Sequence, residues 1–245
     1  MSVNYRSVLY ANYHSTQSGR AAHTDAKSLH EREKSRFRKE IKPLLRSIST
    51  EAEVFDLGCG SGSLLAVLKE EGFHRLIGMD LSPEQVAQAH AWGLQEVQEG
   101  DALVHLKKAS SQWDLVLAAD IIEHFNKDEL VDLLQVIKSS LKKNGRFILR
   151  TPNMDSSLAS VFAHGDFTHE NRLNASSLEQ VLLAVGFRHV EIVPSDMSSQ
   201  SALKECLRKP LYGLHVLIRK ATLFATGRST KGVLFSPNMI AIAHV

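Results

Sequence analysis

Cysteine is nearly absent from this chain. Cys59 and Cys206 are the only two, far apart in sequence, which argues against a disulfide framework and a thiolate zinc cluster. Long apolar runs are missing as well. No stretch approaches the roughly 18 consecutive apolar residues of a membrane span, and the opening "MSVNYRSVLYANYHSTQ" has no continuous apolar core of the kind a signal peptide carries. Internal repeats and low-complexity tracts are not found either. At 43% hydrophobic and 23% charged residues, disorder, collagen and coiled coil are poor descriptions. These absences lead to the expectation of a soluble, cytoplasmic protein, its 245 residues sufficient for one large domain with additions.

What is present is unevenly placed. Between 203 and 231, Lys204, Arg208, Lys209, Arg219, Lys220, Arg228 and Lys231 face the single acid Glu205. That is a local charge of +6 in a chain of net charge +2, so the rest sums to −4. A basic segment on a slightly acidic body fits either a solvated helix face or an anionic partner, such as a membrane surface. Residues 1–50 read as a polar helical extension. "SLHEREKSRFRKEIKPLLRSI" sets Phe37, Ile41, Leu44, Leu45 and Ile48 at helical spacing, with Pro43 as a break.

From residue 51 to 245 the rhythm is that of one α/β domain. The strands "EVFDLGC", "RLIGMDLS", "LQEVQEGD", "WDLVLAAD" and "RFILRTPN" alternate with helices. Ser82 is placed to cap one helix, with Pro83 at its first position, and "KDELVDLLQVIKSSLKKNG" is expected to stay helical up to Gly145. Alternation of this kind makes a parallel sheet covered on both faces. After "ASSLEQVLLAVGF" and "HVEIVPSD" comes an insertion at about 196–238. Pro210, Gly213 and Gly227 predict two or three short helices there. "MIAIAHV" is the last strand.

Gly58, Gly60 and Gly62 alternate in "DLGCGSG", where the first strand meets its helix. Glycines there allow a ligand close to the backbone, and the helix start offers unpaired N–H groups. Ser63 stands where a dinucleotide fingerprint would have its third glycine. Asp80 ends the next strand about 20 residues on, placed to accept from a ribose diol, and Asp101 follows the third strand.

Together "VFDLGCGSG", "IGMDLS", "EGDAL", "WDLVLAADIIEHF" and "LKKNGRFILRTPN" resemble, in order and spacing, the motifs of class I S-adenosylmethionine-dependent methyltransferases. The resemblance covers roughly residues 50 to 195 and the final strand. It implies a Rossmann-like seven-stranded, mostly parallel sheet with an antiparallel C-terminal strand, and S-adenosyl-L-methionine as cofactor. It further implies that Asp56, Gly58, Cys59, Gly60 and Gly62 lie along the cofactor's methionine part and that Asp80 holds its ribose. Asp101 and Ala102 would flank the adenine, with Met79 and Leu81 on either side of the ring. Ala119 and Asp120 would open beside the transferred methyl.

The stretch "DLVLAADIIEHF" starts as a core strand and ends in Asp120, Glu123 and His124. If a helix begins after Ala119, these three share one face at i, i+3 and i+4. Three readings fit. Glu123 is a first-turn acid and His124 is satisfied locally. His124 is a general base for a substrate hydroxyl. Or the group ligates a divalent cation, as in the Glu-x-x-Glu-His motif of metal-dependent O-methyltransferases, which the stretch resembles with Asp120 in place of the first Glu. His169, in preference to His164, would then complete a site for Mg²⁺, Mn²⁺ or Zn²⁺. Oxygen acceptors need such activation more than amines, which tilts the reading toward O-methylation.

The acceptor site is expected from the parts outside the core: a lid from residues 1–50 bearing Tyr5, Tyr10, Tyr13 and His14, the His164–Glu170 loop, and the insertion. "GDFTHENRLNASSLEQVLLAVGF" resembles methyltransferases of bacterial envelope glycan pathways, which implies a saccharide or lipid-linked acceptor. An RNA 2′-O-methyltransferase, a quinone-type O-methyltransferase and a catalytically silent cofactor-binding subunit are the alternatives. No strong nucleic-acid signal is visible. Contact of 203–231 with anionic lipid, or a homodimer surface, fits the insertion.

Overall fold

The computed structural model describes residues 5–10, 25–197, 199 and 201–245. The apolar runs form seven strands: β1 Val54–Leu57, β2 Leu76–Asp80, β3 Val97–Glu99, β4 Trp113–Ala119, β5 Leu141–Pro152, β6 His189–Pro194 and β7 Asn238–His244. They join one sheet in the order β3-β2-β1-β4-β5-β7-β6. β1 to β5 pair in parallel, while β7 lies antiparallel between β5 and β6. This is the expected Rossmann-like sheet.

Successive side chains of a strand point to opposite faces, and here each face has its own core. Phe55, Val116, Phe147, Leu149 and Met239 pack one way, under helices α5 (Ala102–Lys108), α6 (Lys127–Ser140) and α8 (Ala175–Val185). Val54, Leu115, Leu117, Ile148 and Ile240 pack the other way, under α2 (Ala26–Glu40), α3 (Ser63–Glu70) and α4 (Pro83–Ala91). Short polar signals start the helices. Ser82 Oγ accepts from Gln85 N at 3.4 Å, and Asn126 with Glu129 forms a reciprocal box at the start of α6. A short α1 (Tyr5–Tyr10) precedes α2, and a 3-10 turn at Lys42–Leu45 holds Pro43. Tyr13, His14 and the side chain of Tyr10 lie outside the described residues.

Two expectations need correction. α6 stops at Ser140 rather than Gly145, because Leu141 is buried and already pairs with Trp113 at the base of β5. The insertion is one 24-residue helix, α9 (Ala202–Ala225), with Pro210 inside it. The ring removes one backbone hydrogen bond, a cost of about 3 kcal/mol. Ser201 caps the start, and the Leu, Lys, Arg and Ala residues around the proline favour helix. The remaining helix, α7 (Ala159–Gly165), follows β5.

The strand order reverses between β1 and β4, so the carboxyl ends of those two strands flank a crevice. A buried ionic group ties the N-terminal extension to the same end of the sheet. Arg150, late in β5 and 6% exposed, has Nε 2.9 Å from Glu40 Oε2 at the end of α2, while its Nη1 holds the Asp120 carboxylate. The Nε contact is an ion pair without hydrogen-bond alignment. Burial raises the Glu40 pKa, opposed by Arg150 and Arg36.

Removing one partner of a buried ion group leaves the others uncompensated. Arg150→Met should therefore lower the unfolding free energy by about 3–5 kcal/mol in urea titrations. Glu40→Gln should cost less, since Asp120 still pairs with the guanidinium. Equal midpoints for Arg150→Met and wild type would show that the group contributes nothing.

Candidate active site

A cavity of about 550 Å³ opens in the crevice at the carboxyl ends of β1, β2 and β4. Of the residues singled out in the sequence, Asp56, Gly58, Cys59, Gly60, Met79, Asp80, Leu81, Asp101, Ala102, Ala119 and Asp120 all form its wall. Gly62 stands off that wall. It starts α3 with a left-handed backbone, and a Cβ there would meet Leu94 at 2.7 Å, so its reason is packing. Gly58 also needs its positive φ of 65°, and a Cβ there would come within 2.6 Å of Ile121. At Gly60, by contrast, a Cβ would meet nothing within 4 Å. There the open space is the cavity.

The wall is rich in carboxylates held without full compensation. Asp56 is 2% exposed, and its Oδ2 has no hydrogen-bond partner among the described residues. Burial, then the nearby Asp80, push its pKa up to about 8. Asp80 bridges two backbone amides, accepting from Gly60 N at 2.8 Å and Ser82 N at 2.9 Å. Burial still holds its pKa above the ordinary value. Asp101 Oδ1 caps α5, accepting from Leu103 N at 2.8 Å. Cys59 is kept a neutral thiol by burial and by both aspartates. An unpartnered buried carboxylate beside a bridging one suits a ligand with a positive charge and hydroxyls.

Beyond β4 the chain does not continue as the expected helix. Asp120 adopts a left-handed backbone (φ 56°), and only Ile122–His124 form a 3-10 turn. Asp120 is therefore corrected as a metal ligand: its carboxylate is taken by Arg150 and lies 3.7 Å from Arg36. Glu123, His124 and His169 do come together, each offering a ligand atom within 4.8 Å of the others. The two rings lie 4.9 Å apart at 75°. His164 is exposed on α7 and does not join them.

Each member of the cluster is oriented from behind. Thr151 Oγ1 donates to Glu123 Oε2 at 3.0 Å. Thr168 Oγ1 donates to Asp166 Oδ1 at 2.6 Å, so toward His124 Nδ1, 2.8 Å away, it acts as acceptor. The proton of His124 then sits on Nδ1 and the lone pair on Nε2. His169 Nδ1 is 2.7 Å from the Phe162 carbonyl, which can only accept, so that nitrogen donates. Backbone amides of Glu170 and Asn171 donate to Glu123 O at 2.8 and 3.0 Å, fixing the His169 loop to the 3-10 turn. Such outer partners are what orient imidazole and carboxylate ligands around a metal.

Burial governs the electrostatics of the cluster. Burial, then His169, lower the His124 pKa to about 4, far below the value near operating pH that suits a general base. Burial, then Asp120, raise the Glu123 pKa to about 8. An imidazole held neutral, as His124 is, is a poor proton acceptor, and imidazole with carboxylate is a donor set that cations accept.

Sequence reasoning missed Arg6, Arg36, Arg150, Thr151 and Thr168. The "RTPN" end of β5 held the signal for Arg150 and Thr151. Arg6 in α1 donates to Glu129 at 2.7 and 2.6 Å and to His124 O at 3.1 Å, and it lines the large cavity. A second cavity, of about 380 Å³, is lined by Glu123, Pro152, Val161, Phe162, His169 and Asn238. It shares Arg36, Asp120 and His124 with the first.

Comparison with known proteins gives the family and the fold. The profile of a family described as a methyltransferase domain matches residues 29–192. A malonyl-[acyl-carrier protein] O-methyltransferase of Herminiimonas arsenicoxydans is 32% identical over 167 residues, which cover 66% of this chain and 62% of that protein. A tRNA U34 carboxymethyltransferase of Aeromonas salmonicida is 26% identical over 158 residues, or 60% of this chain and 47% of that one. The chain thus spans about half to three-fifths of these relatives. A solved structure of a SAM-dependent methyltransferase from Archaeoglobus fulgidus superposes with a TM-score of 0.66 at 22% identity, covering 88% of this chain and 94% of that one. At that identity the likeness is one of fold.

Calorimetric titration with Mn²⁺ or Zn²⁺ tests the cluster directly. One ion should bind, and His169→Ala or Thr168→Val should each weaken it by about 10–100-fold. No saturable heat from the wild-type chain would exclude a cation site.

Proposed function

This chain belongs to the methyltransferase-domain family, and from that premise we propose that it methylates a hydroxyl oxygen with S-adenosylmethionine as donor, assisted by a divalent cation held by Glu123, His124 and His169. The observation behind the proposal is position: His124, with its low pKa and fixed tautomer, stands in the wall between the two cavities. The large cavity is assigned to the cofactor and the small one to the acceptor.

The donor supplies an electrophilic methyl on a positively charged sulfur. Asp56 and the Gly58–Gly60 backbone face its methionine part, Asp80 accepts from the ribose hydroxyls, and Asp101 with Ala102 borders the adenine. As the acceptor oxygen bonds to the methyl carbon, the carbon–sulfur bond breaks, and the hydroxyl proton is released to solvent. A cation in the cluster would lower the acceptor hydroxyl's pKa and aim its oxygen at the methyl. Thr151, Thr168 and the Phe162 carbonyl hold the ligand atoms in place, while Arg150 keeps Asp120 out of the cluster. α1, latched by Arg6 across Glu129 and His124 O, serves as part of a lid. The acceptor favoured by the loop sequence after β5 is a saccharide or lipid-linked hydroxyl.

Purified protein incubated with methyl-labelled S-adenosylmethionine and fractionated cell extract tests this. Label should appear in a saccharide or lipid fraction, fall with EDTA and return with added Mn²⁺ or Zn²⁺. His124→Ala should lose transfer but keep S-adenosylhomocysteine binding. Label in RNA would replace the acceptor class, and EDTA-insensitive transfer would remove the cation from the mechanism.

A pH dependence follows from Asp56. Its folded pKa is raised, so below about 8 it is protonated in the free protein, and a cationic ligand must displace that proton. S-adenosylhomocysteine, through its ammonium group, should bind more tightly as pH climbs from 6 toward 8, by up to about tenfold per unit, and level off above. Asp56→Asn should flatten that slope. A wild-type affinity constant over this range would place the ligand's charge elsewhere.

A further inference from the structure

We propose that α9 is a peripheral membrane anchor that lies along an anionic lipid surface, a role independent of the methyl-transfer reading. The helix is inverted relative to ordinary surface helices, which turn their apolar stripe inward. Its half-buried residues, Glu205, Arg208, Tyr212, His215, Val216, Arg219 and Leu223, recur at helical spacing and face the body. Five of the seven are polar, and two of those are pinned to the body. His215 Nε2 lies 2.9 Å from Ser157 Oγ, and Arg219 Nη2 donates to Asp155 O at 3.0 Å.

The opposite face is apolar and open. Leu203, Leu207, Leu211, Leu214, Leu217, Ile218 and Phe224 are 55 to 82% exposed, and no α9 residue is buried. A patch of this extent on a folded domain marks an interaction surface. At 24 residues the helix is about 36 Å long, yet no helix among the described residues is long and apolar enough to cross a membrane. A helix with a wide apolar face and a polar back lies in the interface plane.

Charge selects the occupant. On a helical projection Lys209 and Lys220 border the apolar face on one side and Lys204 on the other, all exposed, with exposed Arg228 and Lys231 just beyond. The one acid, Glu205, is turned inward and held by Arg208 Nε at 2.8 Å and Ser199 N at 2.8 Å. A second copy laid on this face would bring lysine against lysine in either orientation, which is unfavourable. Anionic headgroups complement those borders, the lysine stems reaching up from beside the buried leucines. The segment that receives α9 continues the character: Leu158, Val161 and Phe167 are 47, 59 and 82% exposed, and Val161 lines the smaller cavity.

The test is co-sedimentation of the full chain with vesicles of phosphatidylcholine alone or mixed with phosphatidylglycerol, at low and high salt. The protein should pellet with the mixed vesicles and less so as salt rises. Leu207→Glu/Leu211→Glu/Leu214→Glu should abolish pelleting while circular dichroism and melting temperature stay as in wild type. Lys204→Ala/Lys209→Ala/Lys220→Ala, which leaves the apolar face intact, should weaken binding to the mixed vesicles by roughly fivefold per lysine. A wild-type chain that stays in the supernatant with both vesicle types overturns the proposal. So does a dimer in sedimentation velocity that the triple glutamate variant splits, since a second copy would then cover the face.

Discussion

A single buried guanidinium organises the working end of this molecule. Arg150 is too deep to be left unpaired, and the two acids that satisfy it come from different parts of the chain, Glu40 at the end of α2 and Asp120 just past β4. The first pairing anchors the N-terminal extension against the sheet and brings Arg36 to the wall of both cavities. The second turns Asp120 away from Glu123 and His124, which would otherwise be its neighbours in a cation site. What remains is one carboxylate and two imidazoles. That donor set suits transition metals and zinc better than the all-oxygen shells preferred by magnesium.

The two halves of the crevice differ in how they treat charge. On the side of the larger cavity, Asp56 is buried and Asp80 half-buried, both with raised pKa values, and they accept only backbone donors or none. On the far side, Glu123 is raised in the same way while His124 is held neutral. Desolvation dominates all four shifts. Three carboxyl groups raised by burial, on both sides of one partition, would be relieved by positively charged ligands. Under the proposed reading these are a sulfonium donor and a metal ion, and the acceptor oxygen lies between them.

Local chemistry was readable from sequence; distant pairing was not. The sheet, the glycine loop and the Ser82 cap rest on contacts within a few residues, and the alternation of strands with helices foretold a sheet covered on both faces. The grouping of Glu123 with His124 was visible because the two are adjacent in sequence. His169 was chosen over His164 from its place before a helix, and its ring lies 4.9 Å from that of His124. The error at Asp120 came from assuming a helix after Ala119. The left-handed turn depends on Arg150, thirty positions later, and nothing local announces it. α9 was misjudged for the opposite reason. Pro210 and Gly213 are real local penalties, but two such terms do not interrupt a long helix whose other residues favour it.

The stretch from 155 to 169 links the proposed surface to the proposed chemistry. Its first residues, Asp155 and Ser157, receive the polar back of α9; its last supply the Phe162 carbonyl, Asp166, Thr168 and His169 that set the cluster. Between them, Val161 is both exposed and part of the smaller cavity's wall, proposed above for the acceptor. An acceptor hydroxyl on a lipid-linked molecule must reach the cluster without leaving its membrane, which requires the cavity to be held near the surface. A soluble acceptor imposes no such constraint and gives no reason for an outward-facing row of leucines bordered by lysines. The inverted helix and the preference for a lipid-linked acceptor therefore support each other, although each rests on separate residues and stands or falls by a separate measurement.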